Sequence, residues 1–454
     1  MIYDLIILGG GPAGYIAAER AGNAGLNVLL IEKNEIGGVC LNEGCIPTKT
    51  LLYSAKVYDT AKEGEKYGVF TKDISINHCA VIERKDRIVK SLVASVKTKL
   101  KKNNVTIING FGNIAGRDSE GYIVKTEASS HTGKRLLIAT GSTPIMPRIT
   151  GLKEGLSSGY VLTSKEILDI KNVPESLVVI GGGVIGLEMA SYFNSAGAKV
   201  IVIEMLDRIG GNIDLEISSI LMKNYRKKGI EFKLNSKVSS LGEKSLFYEL
   251  NDEVFEVFAD KILLSVGRKP ATQGIGLENI GVEVENGKVK TDSRGKTNLP
   301  EVYAAGDVTG HFMLAHAAYR EAEVCVNNML GKKDIMRYDA IPSVIYTNPE
   351  VAAVGHTEET ARENGIDFDT AKLSMKYSGR YMAENEGGDG MCKILTDRRY
   401  KKLIGAHMIG NNASEIIFGA GIMIETEMRI MDIKEIVFPH PTVSEIIREA
   451  IFEF

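Results

Sequence analysis

Two stretches of the chain repeat one alternation of apolar runs and polar turns. Residues 3–32 read YDLIILGGGPAGYIAAERAGNAGLNVLLIE, and residues 175–204 read ESLVVIGGGVIGLEMASYFNSAGAKVIVIE. Each has an apolar run, three glycines, a helical stretch, an Ala-Gly turn, a second apolar run and a final Glu. The pattern predicts strand, tight turn, helix and strand, twice over. The same interval separates Gly9 from Glu32 and Gly181 from Glu204, so the two copies share one geometry.

Within each copy the glycines read G-x-G-x-x-G, and the spacing has a physical reason. Gly9 and Gly181 allow the turn, Gly11 and Gly183 let backbone approach a pyrophosphate, and Gly14 and Gly186 let helix and strand pack closely. Pro12 and Ala13 lie at the helix start, where unpaired N–H groups and the positive dipole end favour an anion. Glu32, followed by Lys33, and Glu204 fall at the ends of the second strands, placed to accept ribose hydroxyls. Two dinucleotide sites are expected. A carboxylate at Glu204 suits a free 2′-hydroxyl, which favours NAD(H) over NADP(H), although Arg208 stands four residues on.

Composition adds limits. The 454 residues allow about three domains. A net charge of −3 argues against a broad nucleic-acid surface. The 48 glycines, about one residue in ten against a usual 7%, point to special backbone loops. No basic leader precedes Tyr3–Leu8, and the longest uncharged stretches fall short of a membrane span of about 20 residues. A cytoplasmic protein away from membranes is expected. None of the seven His has a paired ligand spacing, so no metal site is expected.

Five cysteines cannot form a disulfide framework in so long a chain. Cys40 and Cys45 stand out in IGGVCLNEGCIPTK, directly after Glu32. On one regular helix their Cα atoms would lie roughly 8.6 Å apart, beyond the ~7 Å limit for a bridge. A redox pair therefore needs a distorted backbone, and Gly37, Gly38, Asn42 and Gly44 supply turn-forming residues. Thr48–Lys62 lacks Gly and Pro, so a helix is expected to start beside Cys45 and to favour its thiolate. Two unrelated buried cysteines are the plainer alternative. Cys79, Cys325 and Cys392 are isolated and read as buried apolar residues.

GGVCLNEGCIPTK resembles the redox signature of the flavoprotein disulfide reductases that carry two dinucleotide loops. Within that family the chain is most similar, over nearly its whole length, to enzymes that oxidise dihydrolipoyl groups. The resemblance implies FAD on the first loop and NAD on the second. Cys40 would be the thiol that meets substrate, and Cys45 the thiol beside the flavin. It implies Lys49 near the flavin, paired with Glu188. By their own sequence context these two read as a solvated helix charge and a first-turn acid. TNLPEVYAAGD resembles the family's second FAD contact, with Gly306 and Asp307; alone it would be a turn. In HFMLAHAA, the run Met313, Leu314, Ala315 and His316 matches a helix start that meets the flavin. Gly38, Thr140, Gly141 and Gly267 mark further passages of chain near the cofactors.

The C-terminal FPHPTVSEIIREAIFEF holds His440 between two prolines, with Glu445 five residues later. Thr442 and Glu445 form T-x-x-E, a capping box, which accounts for Glu445 structurally. The chemical alternative is a base for a thiol proton, with the carboxylate fixing its tautomer. HPTVSE resembles the family's His–Glu motif, contributed across a homodimer, although the tail after it is shorter than is usual there.

The expected class is α/β, with two Rossmann-like dinucleotide-binding domains and a C-terminal α+β dimerisation domain. The expected layout is an FAD domain over 1–147, an NAD domain over 148–270, a central segment over 271–339 returning to FAD, and an interface domain over 340–454. The expected activity oxidises protein-bound dihydrolipoyl groups with reduction of NAD+ to NADH. The partner would be a lipoyl-bearing protein of a 2-oxo acid dehydrogenase, acetoin or glycine-cleavage complex. Glutathione reductase shares the cysteine spacing but typically uses NADP(H), for which Glu204 is ill suited. A flavoprotein kept only as a binding scaffold would have no chemical need of the cysteines or His440.

Overall fold

The apolar runs become strands buried on both faces, as short uninterrupted Leu/Ile/Val runs do in parallel sheets. The computed structural model describes residues 1–454, which fold as two compact units. The first comprises Met1–Thr50, Ile82–Met146 and Gly267–Arg337. Its five-stranded parallel sheet runs Val302–Ala304, Leu136–Ile138, Leu5–Leu8, Val28–Glu32 and Thr106–Asn109 in spatial order. The second comprises Leu51–Val81, Pro147–Val266 and Tyr338–Phe454. Its parallel sheet runs Val161–Leu162, Lys261–Leu264, Ser176–Ile180, Lys199–Ile203 and Glu231–Lys233. In both sheets the strand feeding the glycine loop is third, and the strand that leads to the acid, ending at Glu32 or just before Glu204, is fourth.

The helix after the first loop, Pro12–Asn23, begins with proline at a position where its missing N–H costs nothing. It packs on the helix Ala315–Met329 in one buried cluster. Ala17, Ala18 and Ala21 on one helix and Ala318 and Ala322 on the other keep that contact close. The C-terminal stretch forms a five-stranded antiparallel sheet, Ser343–Ile345, Glu350–Gly355, Leu403–Gly410, Met391–Asp397 and Phe368–Ser374. The helices Ala413–Glu425 and Glu445–Phe452 share its apolar core. The α/β class, with two parallel dinucleotide-type sheets and a C-terminal α+β domain, is thus as expected. No helix is long and apolar enough to cross a membrane.

A buried lysine, Lys393, ties this antiparallel sheet to the helix Leu215–Lys227, where it also pairs with Glu216. The Lys393 ammonium, 2% exposed, lies 2.6 Å from Asp214 Oδ2 and 3.2 Å from Glu358 Oε1. Asp214 also caps the helix Leu215–Lys227 by accepting the N–H groups of Glu216 and Ile217. Burial opposes ionisation of Glu358, but Lys393 and Arg362 outweigh it and hold its carboxyl down to about 2.

Lys393→Met should leave Asp214 buried without its cation and destabilise the protein by about 3–5 kcal/mol at neutral pH, measured by urea unfolding. A depressed carboxyl contributes stability that is present above its usual value near 4.5 and lost as pH falls toward 2. The gap between wild type and Lys393→Met should therefore narrow over that interval. A gap that stays constant would remove Glu358 from the network.

Candidate functional site

Each glycine loop is shaped by two different demands. Gly9 and Gly181 have φ of +102° and +100°, a region side chains avoid. A Cβ on Gly14 would stand 1.8 Å from the Gly9 carbonyl oxygen, and one on Gly186 would stand 2.2 Å from that of Gly181. The protein's own packing thus requires the first and last glycines. The middle ones differ: a Cβ on Gly11 would meet nothing closer than 3.9 Å, and one on Gly183 nothing within 4 Å. The fold leaves that space open, directly before helices whose N-caps, Gly11 and Gly183, offer no side-chain acceptor. Unpaired N–H groups facing an open hollow fit a dinucleotide pyrophosphate.

The two acids do more than sequence reasoning assigned them. Glu32 Oε2 accepts the Gly10 N–H at 2.6 Å, and Oε1 accepts the Asn34 N–H at 2.7 Å. Glu204 repeats the arrangement with Gly182 at 2.6 Å and Leu206 at 2.8 Å. Each carboxylate clamps its loop to the next turn. Lys33, the next residue after Glu32, is exposed. Arg208 Nε lies 3.8 Å from Asp207, its sequence neighbour.

The cysteine segment hangs from the first loop. Gly10 C=O accepts the Gly37 N–H at 2.8 Å, and a Cβ on Gly38 would sit 2.6 Å from Gly11 Cα. Cys40 lies on the short helix Gly38–Glu43, while Cys45 opens the helix Cys45–Lys62. Gly44 separates them with φ −148° and ψ −106°, which is the required break. The second helix starts at Cys45, as expected, with Pro47 in its first turn. Asn42, grouped with the turn-forming residues, instead locks the segment: its amide donates to Gly38 O at 2.9 Å and Ile36 O at 3.2 Å.

The two thiols are in hydrogen-bonding contact. That contact and burial push Cys40 up, and the Lys49 ammonium opposes them. Cys325 and Cys392 are buried apolar residues as read, whereas Cys79 is exposed, with its thiol toward Lys171 O at 3.6 Å.

A second group of expected contacts gathers around Asp307. Ser142 Oγ donates to Asp307 Oδ2 at 2.5 Å, and Arg268 donates from Nε to Ser142 Oγ at 2.8 Å. Thr140 Oγ1 donates to Ala271 O at 2.7 Å, and the Ala271 N–H donates to Gly141 O at 2.9 Å. Ile145 N–H bonds to Gly267 O at 3.0 Å, so Thr140, Gly141 and Gly267 lie along one crossing of two chain passages. Gly306 N–H is held at 2.6 Å by Glu321, an almost fully buried acid that sequence reasoning missed. Its signal was an acid on the apolar face of the helix Ala315–Met329. Met313 and Leu314 lead into that helix, Ala315 opens it, and His316 is exposed at its start.

At the C-terminus, Glu445 serves both of its readings at once. Oε1 lies 2.9 Å from His440 Nδ1, and Oε2 accepts the Thr442 N–H at 2.8 Å. The other half of the capping box is missing, since Thr442 Oγ1 donates to Pro439 O and Ser444 occupies the N-cap. The Thr442 N–H and then His440 hold the Glu445 carboxyl below its usual range. His440 itself is 79% exposed. Glu188, 2% exposed, accepts the Tyr346 N–H at 3.0 Å.

The sequence model of the pyridine nucleotide-disulphide oxidoreductases matches residues 3–322, and that of their dimerisation domain matches residues 341–451. The dihydrolipoyl dehydrogenase of Bacillus subtilis is 38% identical over 99% of this chain and 97% of its own. The mitochondrial dihydrolipoyl dehydrogenase of Sus scrofa is 38% identical over 98% of this chain and 89% of its own. Among solved structures, the HOCl-induced flavoprotein disulfide reductase RclA of Escherichia coli matches with a TM-score of 0.86 at 26% identity, covering 99% of both chains. LpdA of Mycobacterium tuberculosis matches with a TM-score of 0.90 at 24% identity, covering 100% of this chain and 99% of its own, a likeness of fold.

The contrast between the glycines can be tested directly. Gly186→Ala should lower stability by about 1–3 kcal/mol through overpacking, read by thermal melting. Gly183→Ala should melt like wild type yet bind NADH at least tenfold more weakly by fluorescence titration. Undiminished NADH binding by Gly183→Ala would refute a pyrophosphate at that hollow.

Proposed function

The chain belongs to the pyridine nucleotide-disulphide oxidoreductase family, and we propose that its reaction is the oxidation of protein-bound dihydrolipoyl groups with reduction of NAD+. The observation that carries this reading is the Cys40–Cys45 thiol pair, held in contact by a segment hooked to a dinucleotide loop. The relatives named dihydrolipoyl dehydrogenase support the substrate. The match to the family's dimerisation domain supports a homodimer. A lipoyl-bearing protein of a 2-oxo acid dehydrogenase, acetoin or glycine-cleavage complex is the proposed partner.

The layout follows. Residues 1–147 and 271–339 would hold FAD, 148–270 would hold NAD, and 340–454 would form the interface. On the FAD side the proposed contacts are Gly9, Gly11, Pro12, Ala13, Gly14, Glu32, Lys33 and Gly38. Lys49, Thr140, Gly141, Gly306, Asp307 and Met313 to His316 join them. Gly181, Gly183, Gly186, Glu204 and Gly267 serve NAD. Lys49 is proposed to lie at the flavin edge, oriented by Glu188.

In the proposed half-reaction, His440 from a second copy of the chain takes a proton from one substrate thiol. Glu445 holds its Nδ1 side and stabilises the imidazolium. The substrate thiolate attacks Cys40 Sγ, the Cys40–Cys45 bond breaks, and Cys45 leaves with the bonding pair. The second substrate thiol gives its proton to the departing Cys40 sulfur as it displaces Cys40 from the mixed disulfide, closing the substrate ring. One S–S bond is made and one broken, and two electrons have passed to the cysteine pair. Bound FAD supplies the route by which that pair reaches NAD+.

Purified protein should turn over dihydrolipoamide with NAD+, and activity confined to glutathione disulfide with NADPH would overturn the substrate assignment. His440→Gln should lower dithiol turnover by about 10²–10⁴-fold while NADH still reduces the enzyme at its normal rate. Near-normal dithiol turnover would leave His440 a loop residue.

A further inference from the structure

The loop that carries His440 is held by a residue with no part in the scheme above. Ser378 is 1% exposed and is the N-cap of the helix Gly379–Glu384, where its Oγ accepts the Tyr381 N–H at 3.2 Å. The same hydroxyl donates to the Thr442 carbonyl oxygen at 3.0 Å, across 64 residues of chain. Thr442 in turn anchors the acid–base pair. Its N–H holds Glu445 Oε2 at 2.8 Å, and Glu445 Oε1 lies 2.9 Å from His440 Nδ1. Met375 and Tyr381, on either side of Ser378, share a buried cluster with Val443, Ile446 and Ile447, so both ends of the contact rest on one core.

Chemistry explains why a hydroxyl stands at this position. An N-cap needs only an acceptor, which Asp supplies as well as Ser. An ionised Asp has no proton to give, however, and would face the Thr442 carbonyl with like polarity. A hydroxyl accepts and donates from one atom, so it can join the helix entry to the loop. The other polar groups of Thr442 bond within Pro439–Glu445: its N–H to Glu445, and its hydroxyl to Pro439 O at 2.8 Å and Ser444 Oγ at 2.7 Å. Its carbonyl is the group that reaches out of the loop, whose residues Pro439, His440 and Pro441 are exposed.

We propose that Ser378 is a positioning residue for the dithiol reaction: its hydroxyl fixes Thr442, and through Thr442 the orientation of Glu445 and the His440 imidazole. This deepens the dithiol reading above and rests on its assignment of His440 as the base. Ser378 bonds to neither member of the pair, so its effect is one of geometry, to which proton transfer is sensitive. The neighbouring charges are paired among themselves. Arg448, the other charge that Glu445 feels, lies 2.5 Å from Glu449, and Arg380 on the Ser378 helix pairs with Glu384. Removing the Ser378 hydroxyl therefore loosens the loop without changing a charge.

The test compares the holoenzyme as wild type, Ser378→Ala, Glu445→Gln and the double variant, with His440→Gln as reference. Melting temperature checks the fold, and Ser378→Gly, a well-tolerated N-cap, replaces Ser378→Ala if the latter melts early. Ser378→Ala should lower kcat for dihydrolipoamide with NAD+ about tenfold, while NADH reduces the enzyme at its normal rate. The acidic limb of its kcat/KM pH profile should move down by about half a pH unit, because a carboxylate held less firmly stabilises the imidazolium less. In the Glu445→Gln background the same substitution should cost less than about twofold, since the two groups act in series. Wild-type turnover by folded Ser378→Ala, an unmoved limb, or an equal loss in both backgrounds overturns the proposal alone. Near-normal turnover by His440→Gln overturns it together with the acid–base reading, which tells the two failures apart.

Discussion

In both halves of the internal repeat, a carboxylate at the end of the second strand takes the backbone N–H of a loop glycine. Glu32 holds Gly10 and Glu204 holds Gly182, each at 2.6 Å. The same glycines use their carbonyls to receive the next segment, Gly37 in the first half and Gly210 in the second, both at 2.8 Å. One peptide group is thereby gripped from two sides, which fixes the turn and aims the helix N–H groups at the open space by Gly11 and Gly183. Since Gly37 leads straight to Cys40, the position of the redox pair depends on the same grip. A buried carboxylate that accepts backbone N–H groups is among the stronger anchors available in a fold.

From that anchor the chemistry is built by interruption rather than by regular structure. Cys40 and Cys45 meet because Gly44 breaks what would otherwise be one helix and starts another at Cys45. Asn42 then stiffens the break by bonding back to the carbonyls before it. At the other end of the chain, Glu445 splits its two oxygens between an imidazole and a helix-entry N–H. A residue that orients His440 is thus itself oriented by the backbone. The helix-entry contact and the imidazole contact, which read as rivals along the sequence, use the two oxygens of one carboxylate.

Much of this was legible in one dimension because it rests on local backbone geometry. The repeat predicts strand, turn, helix and strand twice, and the structure has Leu5–Leu8, Pro12–Asn23 and Val28–Glu32 matched by Ser176–Ile180, Val184–Ser195 and Lys199–Ile203. The need for a backbone break between the cysteines follows from helix rise alone. Glycines that must turn or pack leave a mark in spacing, since no other residue fits.

What only the tertiary structure decided are the partners that lie far apart in the chain. Glu321 gripping Gly306, Lys393 buried against Asp214, Arg268 on Ser142 and Tyr319 on Tyr15 carry no pattern of spacing. Each is a polar side chain whose meaning comes from the group the fold brings to it. The sequence determined where the backbone must be free and which side chains can do redox and proton chemistry. Packing decided which of those groups are desolvated and paired, because burial and hydrogen bonding are properties of neighbours in space, not of neighbours in order.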